Sequence, residues 1–435
     1  MRNIKDRKEI VIGLLGLGVV GSGVAQAILE RKDGLAGRVG CPLRLQRVLV
    51  RHPDKPRAVS LDTGLLTTSA DEVLNNPEVD IVVELMGGED PALPYARRAL
   101  TSGKHLVTAN KEVMAKHGPE LVSLAQSKGV ELRYEASVGG GIPLIGPFMG
   151  DLAANRISAV HGIINGTTNY ILSRMAAEGL DFNIALKAAQ ELGYAEADPT
   201  NDVDGKDAAY KLAILATLAF NTRVRPEDVY REGIRRLTER DFRYAGELGY
   251  AIKLLAIAKE REGAVEVRVH PALVPQESLL AKVSGAYNAV QVEGDLVGQV
   301  IFYGLGAGSR PTTSAVVADV LAIARRLYQG IGPVPRPTQD TGRAIAPISR
   351  LSARYYLRMV VADRPGVLAQ ISRVLGDLSI SIASVIQMEA DEVSGTAELV
   401  LMTRPALEES LQQALREMQD LGAVTEIASF IRVEA

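Results

Sequence analysis

A chain of 435 residues, 47% hydrophobic and 23% charged, has room for two or three domains with full-sized cores. Its net charge of -3 gives no reason to expect nucleic acid or an anionic membrane as partner, and its single cysteine, Cys41, excludes an intramolecular disulfide, so a reducing cytoplasm is the expected setting. No apolar run reaches membrane-spanning length, the N-terminus leads into a strand rather than a signal-peptide core, and His52, His105, His117, His161 and His270 never fall at zinc-ligand spacing.

Ile10–Leu15 reads as a buried strand, followed by Gly16-Leu17-Gly18-Val19-Val20-Gly21 and a helix over 22–31. Between a strand and a helix, such glycines let the backbone turn tightly and approach a pyrophosphate that faces the helix N-terminus. A second strand over 44–50 ends at Arg51. Where an NAD-binding chain would place an acid for the ribose hydroxyls, this one has Arg51-His52 with Lys55 and Arg57 nearby. These basic groups suit a 2′-phosphate, so NADP is expected, with NAD as the alternative; a merely solvated basic loop is the competing reading.

A helix over 71–75, a strand over 79–85 ending at Gly87-Gly88, a helix over 94–102 and a strand over 105–108 ending at Ala109-Asn110-Lys111 continue the alternation. Loops at the carboxyl ends of parallel strands line the ligand crevice, which places Gly87, Gly88 and Lys111 there unless Lys111 is simply solvated. Alternation to about residue 134 argues for a doubly wound sheet. Tyr134-Glu-Ala-Ser-Val-Gly-Gly-Gly-Ile-Pro143 then exposes backbone polar groups beside Glu135, suiting a hard cation, a hinge, or both.

A strand over 157–164 of a second sheet runs into Asn165-Gly-Thr-Thr-Asn169, where a threonine is expected to cap a helix over 170–178 and free amides can meet an anion. Glu196, Asp198, Asp202, Asp204 and Asp207 crowd a turn-rich stretch opening an almost wholly apolar helix in which Lys211 sits one turn after Asp207. A lysine inside a buried helix needs a partner or a task; either a surface ion pair or a reactive ammonium at a cleft wall fits the spacing. Downstream come a helical segment over 226–232, a polar run over 238–243, and strands over 265–274, 284–288, 289–292 and 300–303. Gly304-Leu-Gly-Ala-Gly308 then opens a long helix to about Tyr328. Residues 331–350 are proline-rich and aperiodic, hence a linker. From Arg354 a β-α-β-β-α-β order restarts as a small autonomous unit, the split βαβ arrangement.

On these motifs the chain closely resembles monofunctional homoserine dehydrogenases. The resemblance runs over residues 10 to 330 through the nucleotide glycines, Thr108-Ala-Asn-Lys111, Glu135 to Pro143, Asn165 to Asn169, Gly193-Tyr-Ala-Glu-Ala-Asp-Pro199, Asp207 to Lys211 and Gly304 to Gly308. The tail from 354, with its Asp363-Arg-Pro-Gly366 turn, resembles an ACT domain, although Ser379 stands where many amino-acid-binding copies carry asparagine. The resemblance implies a Rossmann-type domain over 1–134, with 305–330 returning to it, a mixed-sheet catalytic and dimerisation domain over 135–304, a linker over 331–352 and a ferredoxin-like ACT domain over 353–435. It implies reversible reduction of L-aspartate 4-semialdehyde to L-homoserine by NAD(P)H, in threonine, methionine and isoleucine biosynthesis.

Carried onto this sequence, Lys211 is the proton donor and Glu196 holds the substrate ammonium, with Asp202 and Asp207 ordering the polar network and Gly166, Thr167 and Tyr194 lining the substrate. Lys111 and Gly308 border nicotinamide and substrate. A sodium-type cation falls on Glu135 and the carbonyls of Val138, Gly140 and Ile142. The resemblance also implies a homodimer or higher homo-oligomer and threonine feedback through paired ACT modules. A thioester-forming semialdehyde dehydrogenase is set aside because Cys41 lies before the second strand, remote from every crevice loop. The remaining alternative is a non-enzymatic NADP-dependent amino-acid sensor.

Overall fold

Ile10–Leu15 (β1) is apolar at every position but Gly13 and buried throughout, the pattern of a strand covered on both faces. In the computed structural model, which describes residues 9–335, 341–391 and 393–434, it is central to a six-stranded parallel sheet. The others are Leu43–Leu49 (β2), Leu66–Thr67 (β3), Ile81–Glu84 (β4), His105–Thr108 (β5) and Leu132–Arg133 (β6), in the order β3-β2-β1-β4-β5-β6. That order reverses at β1, so the carboxyl ends of β1 and β4 flank a topological switch point. The expected doubly wound fold is borne out. Residues 1–8 of the expected first domain and 336–340 of the expected linker lie outside the described residues.

The remaining strands are Ile157–Ile163 (β7), Tyr230–Arg231 (β8), Tyr250–Arg261 (β9), Ala264–Pro275 (β10), Tyr287–Gly294 (β11), Gly298–Leu305 (β12), Ser352–Ala362 (β13), Ile382–Asp391 (β14), Thr396–Thr403 (β15), Ala406–Leu407 (β16) and Val424–Val433 (β17). The chain divides into two compact units, one of residues 1–158, 210–227 and 292–343, the other of 159–209, 228–291 and 344–435. This division differs from the expected boundaries near 134 and 304. In the first unit the glycines 139–141 pack against the run 304–308: a Cβ on Gly140 would lie 2.5 Å from the Gly306 carbonyl oxygen. Gly140, at φ +55, is thus glycine for both backbone shape and close approach.

The second unit is built on a mixed sheet ordered β11-β7-β9-β10-β17-β13-β15-β14. The C-terminal module expected from residue 354 keeps a hydrophobic core of its own over 351–424, and it is also joined to the rest of the unit. Its last strand, β17, pairs parallel with β10 at Ala272↔Arg432 and Leu273↔Val433, so the ferredoxin-like module extends the mixed sheet of this unit. The expected linker is also pinned at its end. The Val265 N–H donates to the Ala344 carbonyl at 2.9 Å, and the Ala346 N–H to that of Val265 at 2.9 Å. Unmet backbone groups on the edge of β10 account for both departures.

Several local expectations also change. The 226–232 segment is a short 3-10 turn, Pro226–Asp228, followed by β8; the polar run at 238–243 opens a helix, Glu239–Glu247, with a Thr238/Asp241 capping box; and the strands expected over 284–288 and 289–292 are one strand, β11. The long strand β9 and the helices Lys111–Ser127 and Phe182–Glu191 were not anticipated, because charges interrupt their apolar residues; in β9 one of these, Lys253, is itself buried and donates to the Val283 carbonyl at 2.6 Å.

Candidate active site

Within the first unit, Gly16 turns at φ +97 and its N–H donates to the Leu49 carbonyl at 3.0 Å, tying the glycine loop to β2. A Cβ on Gly21 would meet the Gly16 carbonyl oxygen at 2.2 Å, so strand and helix close only over glycine. The helix Val19–Glu30 starts at Gly18, with no side-chain cap and no acid in its first turn. Its first N–H groups therefore remain for an anion. Leu17 is buried, Val20 half-buried and Val19 exposed at the crest. A second long helix, Ser309–Gln329, begins at Gly308 (φ +111), and its Ser309 Oγ donates to the Val19 carbonyl at 3.2 Å. Two helix N-termini thus meet at one loop.

Beyond β2, Arg51 and Lys55 are exposed, as a phosphate-facing pair requires. Arg57 instead turns back on its own loop, donating to the carbonyls of Pro53 and Lys55 at 2.8 Å each and to that of His52. The loops after β4 and β5 are locked together by a residue the sequence reading passed over. Glu84, 1% exposed, accepts from the Thr108 hydroxyl at 2.5 Å and the Met86 N–H at 2.7 Å, while Asn110 Nδ2 donates to the Gly88 carbonyl at 2.7 Å. Burial pushes the Glu84 carboxyl up to about 7 against the lowering pull of Thr108, Met86 and Asn110. An acid closing the apolar strand Ile81-Val-Val-Glu84 was the available signal.

Lys111 is not in a loop but is the first residue of the helix capped by Asn110, whose Oδ1 accepts the Val113 N–H at 3.1 Å. That helix is tied to the Gly87-Gly88 loop by Lys116 and His117, 2.7 and 2.8 Å from Glu89. It also receives Tyr210, whose hydroxyl donates to Glu112 Oε1 at 3.3 Å. The residue before Lys211 therefore touches the residue after Lys111. Lys211 is 9% exposed on the helix Lys206–Phe220, which is buried along most of its length. Asp207, 3% exposed, precedes it by one turn on the same helical face.

The second unit carries the acids. Asn165, not a threonine, caps the helix Gly166–Glu178, which begins four residues earlier than expected; its Oδ1 accepts the Thr168 N–H at 2.8 Å. Its Nδ2 donates to Asp202 Oδ1 at 2.7 Å and to Asp207 Oδ2 at 2.8 Å, binding both carboxylates to one amide. Gly166 and Thr167 thereby become the first two helical residues. Thr167 Oγ1 donates to the Tyr194 carbonyl at 2.6 Å, which holds the 193–196 turn, and Tyr194 packs on Tyr170 with ring centroids 4.8 Å apart. Glu196 is exposed on that turn.

Glu135 accepts the Leu144, Ile145 and Gly146 N–H groups at 2.6, 2.8 and 2.7 Å, an anion at the start of the helix Ile145–Met149. Among the described residues the carbonyls of Val138, Gly140 and Ile142 accept no hydrogen bond, whereas that of Gly139 takes the Ile142 N–H at 2.9 Å. No group of three or more His, Cys, Asp or Glu that could hold a metal occurs among the described residues, and none of their helices is long and apolar enough to cross a membrane.

Family models match this chain in three segments: "Homoserine dehydrogenase, NAD binding domain" over 16–135, "Homoserine dehydrogenase" over 143–321 and "ACT domain" over 355–423. A homoserine dehydrogenase of Synechocystis sp. is 46% identical over 433 residues, covering 98% of this chain and 99% of that protein. The crystal structure of a homoserine dehydrogenase from Thiobacillus denitrificans superposes with a TM-score of 0.91 at 46% identity, covering 98% of each chain. A hyperthermophilic archaeal homoserine dehydrogenase solved with NADPH, 26% identical, matches 72% of this chain and 97% of its own with a TM-score of 0.61.

Proposed function

The chain belongs to the homoserine dehydrogenase family, oxidoreductases with an NAD-binding domain, here followed by an ACT domain, and from that premise we propose that it reduces L-aspartate 4-semialdehyde to L-homoserine with NADPH, Lys211 donating the proton. The observation that carries the role is a buried lysine, one turn beyond a buried aspartate, whose neighbour Tyr210 touches the helix headed by Lys111. When bound, the nicotinamide supplies the hydride to the carbonyl carbon. Lys211 holds a proton for the oxygen, where negative charge develops. Asp207 keeps the ammonium oriented, and Asn165 bridges Asp207 and Asp202 by donating to both, which fixes the two carboxylates relative to each other.

Glu196 takes the substrate ammonium, with Gly166, Thr167 and Tyr194 around the rest of the amino acid. Lys111 and Gly308 border the reacting carbon from the nucleotide side. The glycine loop and the helix starting at Val19 hold the pyrophosphate, and Arg51 with Lys55 holds the 2′-phosphate. In support, that helix start is uncapped and both basic side chains are exposed, and a relative was solved with NADPH. A monovalent cation of the sodium type would be held by the carbonyls of Val138, Gly140 and Ile142. Those three oxygens have no hydrogen-bond donor among the described residues, and Glu135 adds a negative charge. Its work is to fix the loop between nucleotide and catalytic segments.

In functional terms, residues 1–134 and 305–330 bind nucleotide, 135–304 bind substrate and pair subunits, 331–352 connect and 353–435 regulate. Two ACT modules of a cytoplasmic homodimer take threonine and lower the activity, serving threonine, methionine and isoleucine synthesis. The test is nucleotide oxidation with aspartate 4-semialdehyde and each reduced nicotinamide, with and without threonine. Semialdehyde-dependent turnover preferring NADPH supports the reading; nucleotide binding without turnover would instead favour the sensor.

A further inference from the structure

We propose that Arg432, in the last strand of the C-terminal module, is a positioning residue for the substrate segment 196–207, acting through Glu232. This rests on the reading above that the segment receives the substrate ammonium. Arg432 is fully buried, and its Nε and Nη2 donate to Glu408 at 2.8 and 2.5 Å. Its Nη1 lies 2.9 Å from Glu232 Oε1, off the N–H direction, so that contact is an ion pair rather than a hydrogen bond. The guanidinium also lies 5.2 Å from the Tyr230 ring centroid, and the Tyr230 hydroxyl donates to the same Glu232 oxygen. A buried guanidinium is costly unless all sides are met, and here one of its two carboxylate partners comes from outside the module.

From Glu232 the chain leads directly to the substrate segment. The Glu232 N–H is held by the Val269 carbonyl at 2.8 Å, so its backbone is anchored to β10. At Gly233 the backbone runs so close to 203–204 that a Cβ would lie 2.4 Å from the Val203 carbonyl oxygen and 2.8 Å from the Asp204 Cα. The Ile234 N–H donates to the Val203 carbonyl at 2.9 Å, and Arg235 Nε to Asp204 Oδ1 at 2.6 Å. Val203 and Asp204 follow Asp202, one of the two carboxylates held by Asn165. Arg432 therefore sets the side chain of Glu232, and the next three residues hold the backbone at 203–204, immediately after Asp202.

The test uses the full-length enzyme. Glu232→Gln keeps the shape and removes the charge facing Arg432, at a side chain that is 27% exposed and so tolerant of change. It should raise KM for the semialdehyde about 5- to 30-fold, with a smaller change in kcat and NADPH affinity within about twofold. Tyr355→Phe loosens the same buried cluster by removing the 2.9 Å bond to Glu408 but does not touch 232–235, and should leave that KM unchanged. Equal KM changes in both variants, tracking their thermal stability, would overturn the positioning role. So would an unchanged KM in Glu232→Gln alongside a raised KM in Glu196→Gln, which leaves the substrate reading intact. An unchanged KM in Glu196→Gln removes that reading and takes the Arg432 route with it.

Discussion

Replacing Glu84 with glutamine should flatten the pH dependence of stability in the nucleotide-binding unit. The Glu84 carboxyl is almost wholly buried and pushed from its ordinary value near 4.5 to about 7, because desolvation outweighs its bonds from Thr108 and Met86. A rise of that size corresponds to about 3 kcal/mol at about 1.4 kcal/mol per tenfold change in proton affinity. The sign follows from proton binding: the folded chain holds this proton more tightly than the unfolded one. Its contribution is therefore complete below about pH 4.5 and is lost as pH rises through about 7. Glutamine has no such proton, yet its oxygen can still accept from the Met86 N–H, and its amide N–H can donate to the Thr108 hydroxyl oxygen in place of the bond that the acid accepts there. Urea unfolding of the wild type and Glu84→Gln should show the wild type losing roughly 2 to 3 kcal/mol relative to the variant between about pH 5 and about pH 8. Parallel stability profiles would refute the buried-acid account.

The basic loop after β2 predicts cofactor choice: Arg51→Ala with Lys55→Ala should lower kcat/KM for NADPH by about 10²- to 10⁴-fold while leaving NADH little changed, since each of the two contacts to a charged phosphate is worth roughly 1.5–3 kcal/mol. Steady-state kinetics with both nucleotides checks this, and an unchanged preference would return the loop to mere solvation. Asn165→Ala removes a helix cap and the one amide shared by Asp202 and Asp207, so urea unfolding should show a loss of roughly 2–4 kcal/mol, with a raised KM for the semialdehyde. Exchanging sodium for a bulky organic cation should lower turnover in the wild type. Glu135→Gln should shrink that difference, and equal activity in both salts would remove the cation from the loop.

Glycine, acid and lysine positions were legible because their reasons are local. The glycine loop needs Gly16 and Gly21 for its turn and close packing, and Lys211 announced itself as a charge in an apolar helix. What could not be read were pairings made at long range. Asn165 reaches Asp202 and Asp207, about 40 residues on, and Glu84 reaches Thr108; neither partner is implied by spacing. The union of β17 with β10 was hidden for the same reason, since a β-α-β-β-α-β order looks complete in itself while its last strand keeps an open edge. The helix expected from residue 170 starts at Gly166 because the Asn165 cap secures a first turn built of residues of low helix propensity.

The most direct measurement is single-turnover reduction of aspartate 4-semialdehyde by Lys211→Ala, with NADPH affinity measured on the same protein by fluorescence. A proton donor at this position predicts a rate lower by about 10²- to 10⁴-fold with nucleotide affinity unchanged. A rate within about tenfold of wild type, or a loss accounted for by failed nucleotide binding, would contradict it.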